Sequence, residues 1–267
     1  MTDSRPIGVF DSGVGGLTVL REILRRSPDE STIYLGDNAR APYGVRPDEE
    51  VRAFSTQSID ALVERDVKAV VVACNTATGA AVDVLRRTFT IPIVAIEPAV
   101  KPAAAATRSG VVGVLATSVT LSSTNLLRLV GQYPAPGGTV MQACPGLVEQ
   151  VEQGDLDSPA TRALVERFVA PLVAKGADTI VLGCTHYAFL KPVIQEVAGP
   201  GVSVIDPAPA VARELRRRLA AASMLAPEDA VPSEGYWTTG DIGQGRRVIS
   251  QLLGRPVSVA VLSEGRI

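Results

Sequence analysis

Cysteine, lysine and histidine are scarce in this chain, and each shortage argues against a class of chemistry. Three cysteines among 267 residues are too few for a disulfide framework, so we expect a reducing, cytoplasmic setting. The four lysines stand in no glycine-rich phosphate-binding context, which argues against a pyridoxal enzyme. The three cysteines and the single histidine match the ligand count of a zinc site, but no two cysteines lie close in sequence, so we predict no metal.

Strong charge of one sign and long apolar runs are also missing. The net charge is −2, with acidic and basic residues interspersed, so we expect neither a nucleic-acid partner nor a membrane surface. The polar first residues argue against a signal peptide, and no apolar run reaches the ~18 residues of a membrane span. Hydrophobic residues make up 46% of the chain, which is typical of a well-packed globular protein.

Buried-strand and helix patterns alternate along the chain, as in α/β proteins with mostly parallel sheets. Strands are predicted at Ile7–Phe10, Thr32–Leu35, Ala69–Ala73, Ile93–Ile96, Val111–Leu115, Thr139–Ala143, Thr179–Leu182, Val202–Ile205, Tyr236–Thr239 and Val257–Val261. Helices are predicted at Leu17–Arg26, Glu49–Arg65, Ala77–Arg87, Val119–Leu129, Ala160–Ala174, Ala210–Ala222 and Gly243–Leu253. Pro98 and Pro102 mark a composition shift that indicates a domain boundary.

Two segments, 68–79 and 178–187, place a thiol at the end of a buried strand. Cys74 and Cys184 are followed by small polar residues suited to a helix start. Their separation of about one domain length suggests an internal duplication, which would bring both thiols to one cleft. If one substrate carbon lies between them, we expect the two sulfurs to be roughly 6–8 Å apart. The alternative is that both are buried structural thiols, as we expect for Cys144.

Other polar segments near the ends of the predicted strands could also line this cleft. Asp11, Ser12 and a glycine-rich turn follow the first strand, and this turn could bind an anion through free N–H groups; otherwise Asp11 or Ser12 caps a helix. The loop 37–44 could fold over a ligand, or be an ordinary surface turn. His186 lies two residues after Cys184, so in an extended segment both side chains point the same way.

These neighbours can lower the free energy of forming a thiolate by only a limited amount. A free cysteine with a pKa of about 8.5 is mostly protonated at neutral pH, which costs roughly 2 kcal/mol. A neighbouring His186 can reduce this cost, whereas the charge of Asp11 cannot. Asp11, if it acts beside Cys74, must therefore handle a proton or hold a substrate ammonium group. Two quasi-equivalent thiols indicate symmetric chemistry, in which one removes a proton from carbon and the other delivers one, as racemisation requires.

The motifs resemble the glutamate racemases of the cofactor-independent aspartate/glutamate racemase family. The matching segments are residues 8–16, 37–44, 73–77, 144–146, 151–152 and 183–187. The resemblance implies two pseudo-symmetric α/β domains, residues 1–98 plus 208–267 and residues 99–207, with the active site in the cleft between them. It implies no cofactor and no metal, a homodimer, and D-glutamate supply for peptidoglycan synthesis and cell-wall biogenesis. Some relatives are described as inhibiting DNA gyrase.

The resemblance also implies roles for individual residues. Cys74 would act on the D-enantiomer with help from Asp11, and Cys184 on the L-enantiomer with help from His186. Glutamate contacts carry over to Ser12, Tyr43, Gly44, Asn75, Thr76, Thr117, Thr120 and Thr185, and supporting acidic positions to Asp37 and Glu152. Two alternatives differ in their dependence on the thiols. A cysteine-nucleophile amidase or hydrolase would need one of them, and a non-catalytic binding protein, for instance a gyrase regulator, would need neither.

Overall fold

Ten strands form two parallel sheets within residues 2–262, which are the residues that the computed structural model describes. In chain order the strands are β1 (Ile7–Asp11), β2 (Thr32–Gly36), β3 (Ala69–Val72), β4 (Ile93–Ala95), β5 (Val112–Ala116), β6 (Thr139–Ala143), β7 (Thr179–Leu182), β8 (Ser203–Ile205), β9 (Glu234–Thr238) and β10 (Ala260–Val261). The first sheet has the order β10-β9-β2-β1-β3-β4 and the second β6-β5-β7-β8.

The same four-strand order occurs in both sheets. The sequence β2-β1-β3-β4 in the first sheet corresponds to β6-β5-β7-β8 in the second. The registers agree too, because Val9 of β1 lies opposite Val71 of β3, and Val114 of β5 lies opposite Val181 of β7. This repeat confirms the prediction of an α/β fold with two pseudo-symmetric parallel sheets. It makes β3 and β7, the strands that precede the two thiols, equivalent.

Helices connect successive strands and cover the sheets, as parallel strands require. They are α1 (Leu17–Arg26), α2 (Asp48–Val63), α3 (Asn75–Thr88), α4 (Val100–Ala106), α5 (Ser118–Ser122), α6 (Thr124–Gln132), α7 (Leu147–Glu152), α8 (Pro159–Ala174), α9 (Lys191–Ala198), α10 (Ala208–Ala221) and α11 (Ile242–Leu253). In the C-terminal part, α10 packs against α1, and β9 pairs with β2. The ranges predicted for the two domains remain a prediction, and their ends at residues 1 and 263–267 lie outside the described residues.

Two secondary-structure predictions were wrong. The helix predicted over Val119–Leu129 is two helices, α5 and α6, because Ser123 has an extended backbone and its hydroxyl caps the N–H of Leu126 at 3.3 Å. The strand predicted at Val257–Val261 shrinks to Ala260–Val261, which lies at the sheet edge and pairs only with β9. Among the described helices, none is long and apolar enough to span a membrane.

Candidate active site

The carboxyl ends of the two sheets meet at a small cavity that both thiols line. Cys74 follows β3 and Cys184 lies two residues after β7; both side chains are buried. The cavity is tightly closed, since the volume open to the centre of a water-sized sphere is only about 10 Å³. Its lining includes ten of the predicted site residues: Ser12, Tyr43, Gly44, Cys74, Asn75, Thr76, Thr117, Cys184, Thr185 and His186. Pro42 and Val148 also line it; Pro42 lies in the motif 37–44, whereas no sequence pattern distinguished Val148.

Cys74 is the N-cap of α3 and sits in a buried, weakly polar setting. Its sulfur accepts a hydrogen bond from the backbone N–H of Ala77 at 3.4 Å, and the Ser12 hydroxyl lies 3.4 Å away. Burial raises the pKa of Cys74 to about 12, and the nearby charge of Asp11 adds to this rise. Cys74 is therefore protonated at neutral pH, which suits a group that delivers a proton.

Cys184 has a basic neighbour instead. Its sulfur lies 3.7 Å from Nδ1 of His186, and Nε2 of His186 lies 2.6 Å from Oε1 of Glu152. Burial lowers the pKa of His186, but the contacts with Cys184 and Glu152 outweigh burial and hold this pKa well above its ordinary value. The predicted Cys184–His186 contact is present, although the reasoning behind it was wrong: Thr185–Ala188 is a 3-10 turn rather than an extended segment.

The glycine-rich turn after β1 binds an anion, and that anion is the side chain of Glu152. The backbone N–H of Val14 donates to Oε1 of Glu152 at 2.8 Å. A Cβ at Gly13 would overlap this carboxylate, and one at Gly15 would overlap the His186 ring. Burial raises the pKa of Glu152, but the hydrogen bond and charge of His186, with the Val14 N–H, leave it lowered.

Asn38 holds the other oxygen of Glu152. Its Nδ2 donates to Oε2 at 2.8 Å, and its own Oδ1 accepts from the hydroxyl of Thr238 on β9 at 2.8 Å. Val14 and Asn38, which follow strands of the first sheet, thus both donate hydrogen bonds to a carboxylate from α7, which belongs to the second half. Sequence reasoning missed Asn38 and Thr238, since they lie 114 and 86 residues from Glu152 and no local pattern links them.

Asp11 lies behind the cavity and bridges the two halves. Its Oδ1 accepts from the N–H of Gly13 at 2.9 Å, and its Oδ2 accepts from the hydroxyl of Thr185 at 3.1 Å. It is fully buried, and this burial raises its pKa despite the opposing charge of His186. Asp11 does not cap a helix, because α1 begins after Gly16 with no side-chain cap.

Asp37 supports the loop that carries Tyr43 and Gly44. It accepts hydrogen bonds from the Tyr43 hydroxyl and, at 2.7 Å, from the hydroxyl of Thr239, and it forms an ion pair with Arg40 at 2.7 Å. Asp37 itself is fully buried. The loop is therefore a fixed wall of the cavity rather than an ordinary surface turn.

Polar side chains converge from α3 and α5. The hydroxyl of Thr76 lies 3.2 Å from those of both Thr117 and Thr120. Thr120 is behind this pair rather than on the cavity wall. The amide of Asn75 is buried, and among the described residues neither its oxygen nor its nitrogen has a hydrogen-bond partner. An unpaired buried amide on a cavity wall indicates a polar ligand, because leaving such a group unsatisfied costs about 1–3 kcal/mol.

Cys144 lies outside this cavity. Its sulfur donates to the carbonyl of Gln142 at 3.4 Å, and its own carbonyl accepts from the Tyr187 hydroxyl at 3.2 Å. These contacts fit a structural thiol. Within residues 2–262, no three Cys, His, Asp or Glu side chains are grouped so that they could hold a metal ion.

Comparison with known proteins gives a consistent result. The family described as Asp/Glu/hydantoin racemase matches residues 7–215. A glutamate racemase of Herpetosiphon aurantiacus is 52% identical over 89% of this chain and 93% of its own length. The structure of glutamate racemase RacE1 from Bacillus anthracis has a TM-score of 0.87 at 35% identity, over 97% of each chain.

A third relative was solved with an amino acid bound. Glutamate racemase from Francisella tularensis in complex with D-glutamate has a TM-score of 0.85 at 28% identity, over 98% of each chain. The family match covers well over half of the sequence, and both structural likenesses extend over nearly the whole fold. This chain therefore belongs to the Asp/Glu/hydantoin racemase family.

Proposed function

We propose that this chain interconverts L-glutamate and D-glutamate by acid/base chemistry at two thiols, without a cofactor. The observation that carries the proposal is the pair of cysteines at equivalent strand ends, lining one cavity from opposite halves. Relatives that match almost the full chain are glutamate racemases, and one was solved with D-glutamate. Within residues 2–262 the buried amide of Asn75 has no hydrogen-bond partner, which leaves both of its polar atoms available to a ligand.

The two thiols take opposite roles in each direction. For L-glutamate, Cys184 removes the proton from the α-carbon while Cys74 delivers one to the other face. For D-glutamate the roles reverse. His186 stabilises the thiolate of Cys184 as an imidazolium 3.7 Å away. Asp11 assists the Cys74 half by handling a proton or by holding the substrate ammonium group, and Ser12 donates to the sulfur when Cys74 is a thiolate.

Most of the reduction in the barrier must come from stabilising the negative charge that develops on the substrate. A turnover of about 10 per second corresponds to a barrier of about 16 kcal/mol, and thiol activation contributes only about 2 kcal/mol. As the proton leaves carbon, charge develops on the substrate carboxylate. Fixed donors in a small dry cavity stabilise that charge strongly. Asn75, Thr76, Thr117 and Thr185, with the N–H groups of Tyr43 and Gly44, are the proposed donors.

The proposal extends to the setting of the enzyme. We propose that it works in the cytoplasm as a homodimer and that its D-glutamate enters peptidoglycan synthesis. A regulatory action on DNA gyrase is a separate possibility that requires no thiol. A supercoiling assay with gyrase and a variant lacking both Cys74 and Cys184 distinguishes it, because an effect that survives in this variant is independent of racemisation.

Deuterium exchange tests the reaction itself. The protein is incubated with L-glutamate in D2O, with EDTA and no pyridoxal phosphate. We expect optical rotation to decay while deuterium enters the α-carbon. Absence of exchange with either enantiomer would reject the proposal. A hydrolase or amidase would instead form a covalent adduct on one cysteine.

Alanine variants test the two-thiol mechanism. We expect Cys74→Ala and Cys184→Ala each to abolish racemisation, because each removes either the acid or the base from both directions. Cys144→Ala is the matched control, since this thiol lies outside the cavity, and it should remain active. The two-thiol mechanism is wrong if either cavity variant keeps full activity.

A further inference from the structure

The two thiols differ in their access to solvent. On the far side of His186 lies a second, larger recess between α7, α11 and the loop after β2, where about 330 Å³ is open to the centre of a water-sized sphere. Its lining includes Glu152 together with the exposed residues Glu149, Asp241 and Gln244, so the recess opens to the surface. The side chain of Glu152 is 17% exposed and that of His186 only 3%.

These contacts form a continuous path from one thiol to solvent. Sulfur of Cys184 lies 3.7 Å from Nδ1 of His186, and Nε2 of the same ring lies 2.6 Å from the Glu152 carboxylate, which reaches the recess wall. Cys74 has no matching path among the described residues. Its hydrogen-bond neighbours are Ser12 and the Ala77 N–H, and the carboxylate nearest to it, Asp11, is 0% exposed.

We propose that His186 and Glu152 form the proton route that connects Cys184 with solvent in the recess beside α11. This inference rests on the proposed racemase function. Each conversion of L- to D-glutamate leaves Cys184 as a thiol and Cys74 as a thiolate. The proton on Cys184 must therefore leave, and one must return to Cys74, before the next molecule of L-glutamate can react.

The route balances as three proton transfers and one change of tautomer. After turnover, Cys184 is a thiol beside the imidazolium of His186. The proton on Nε2 passes to Oε1 of Glu152, and the carboxyl group of Glu152 releases it to water in the recess. The neutral ring exchanges with water to the tautomer that carries its hydrogen on Nε2, and Nδ1 then accepts the thiol proton of Cys184. The sum moves one proton to solvent and restores the thiolate–imidazolium pair. The reverse sequence supplies Cys184 with a proton for the conversion of D-glutamate.

Chemical rescue of Glu152→Ala tests the route. With saturating L-glutamate, we expect kcat to fall by about 10-fold or more, in the range usual for loss of one proton-transfer group. Truncation leaves space for a small acid in the recess. Added formate, acetate or fluoroacetate should raise kcat, and the three should differ in the order of their acid pKa values, because they carry the proton. Chloride at equal ionic strength should not.

Several outcomes would overturn the route. Glu152 only positions His186 if no carboxylate restores kcat, or if chloride and all three carboxylates restore it equally. Gln244→Ala is the matched control, because Gln244 lines the recess on α11; its kcat should match that of the wild type and not respond to carboxylates. Circular dichroism verifies that Glu152→Ala is folded. If this variant is unfolded, the same assay is carried out with Glu152→Gln, and imidazole is the added proton carrier. Wild-type protein that does not racemise glutamate would reject the proposed function instead.

Discussion

At the scale of residues, the two thiols are unequal although they occupy equivalent positions in the fold. Cys74 is surrounded by weak donors, and burial raises its pKa to about 12. Cys184 lies beside a histidine whose pKa its neighbours hold well above the ordinary value. Under the proposed roles, the protonated Cys74 is the group that delivers a proton when L-glutamate reacts.

Asn75 provides a residue-scale prediction about binding. Both polar atoms of its side chain are buried without a partner in the part of the chain that the structure describes, so a ligand hydrogen bond there relieves a cost of about 1–3 kcal/mol. We expect Asn75→Ala to raise KM for glutamate by about 10-fold, measured by circular dichroism of the reaction mixture. Asn125→Ala on α6, whose amide oxygen accepts from Arg128, is the matched control. Equal KM values for both variants would contradict the assignment.

His186 provides a prediction about pH. Its pKa is raised in the folded protein above the value of about 6.5 in an unfolded chain. Such a group stabilises the fold fully below the unfolded pKa, and its contribution is lost as the pH rises through the folded pKa. Urea denaturation between about pH 6 and pH 9 should therefore show a falling free energy of unfolding.

His186→Asn is the comparison for this experiment. The raised pKa of Cys74 also makes stability fall with increasing pH, but it does so in both proteins. We therefore expect the wild type to lose stability more steeply, by at most about 1.4 kcal/mol per pH unit for the one extra proton. Parallel pH profiles of the two proteins would show that His186 is not protonated in the fold.

At the scale of elements, the strand ends determine the site, and they were also what the sequence predicted best. Runs such as Val70–Val72 are apolar on both faces and rich in β-branched residues, which is typical of a strand buried in a parallel sheet. A polar residue directly after such a run must lie at the carboxyl edge of the sheet. For this reason Cys74 and Cys184 could be placed in one cleft without any structure.

The remaining parts of the site depend on contacts between distant elements. Glu152 reaches His186 from α7, and Asn38 and Thr238 meet through β2 and β9. Nothing in the local pattern around Asn38 distinguishes it from any other loop asparagine. The turn at His186 likewise results from packing, since its sequence was compatible with an extended segment. Local periodicity therefore predicted strands and thiols, but not the polar network behind them.

The break between α5 and α6 provides an element-scale prediction. The Ser123 hydroxyl accepts from the N–H of Leu126 and donates to the carbonyl of Thr120 at 2.7 Å. Replacing an N-cap serine by alanine costs about 1 kcal/mol. We expect Ser123→Ala to lose about this much in urea denaturation. Ser122→Ala, one residue earlier on the exposed face, should stay within about 0.5 kcal/mol of the wild type.

At the scale of the whole molecule, a buried ion pair joins four segments of the chain at the edge of the first sheet opposite the site. Lys68 and Glu30 are almost completely buried, with Nζ and Oε2 2.5 Å apart. Lys68 also donates to the carbonyl of Asp3, and Glu30 accepts from the N–H of Ala226 at 3.0 Å. The N-terminus and the C-terminal segment are thereby both attached to the strands between them.

Removal of one partner from this pair should destabilise the entire fold. Lys68→Met leaves a buried, unpaired carboxylate, so we expect a loss of about 3–5 kcal/mol in the free energy of unfolding. Lys68→Met combined with Glu30→Gln should recover part of this loss, and KM for glutamate should stay unchanged in both. Exposed Lys175→Met is the control. A loss no greater than in this control would show that the pair contributes nothing.

The hydrogen bonds between the halves have a consequence for substrate entry. Thr185 donates to Asp11, and Glu152 accepts from Val14 and Asn38, so the contacts that join the two sheets also belong to the acid/base groups. Any opening that separates the sheets to admit an amino acid breaks these contacts, whereas Cys184, His186 and Glu152 stay together in the second half. Closure over the substrate must therefore re-form the bonds that hold the Asp11 and Glu152 carboxylates, so binding of the amino acid and completion of the acid/base network occur together.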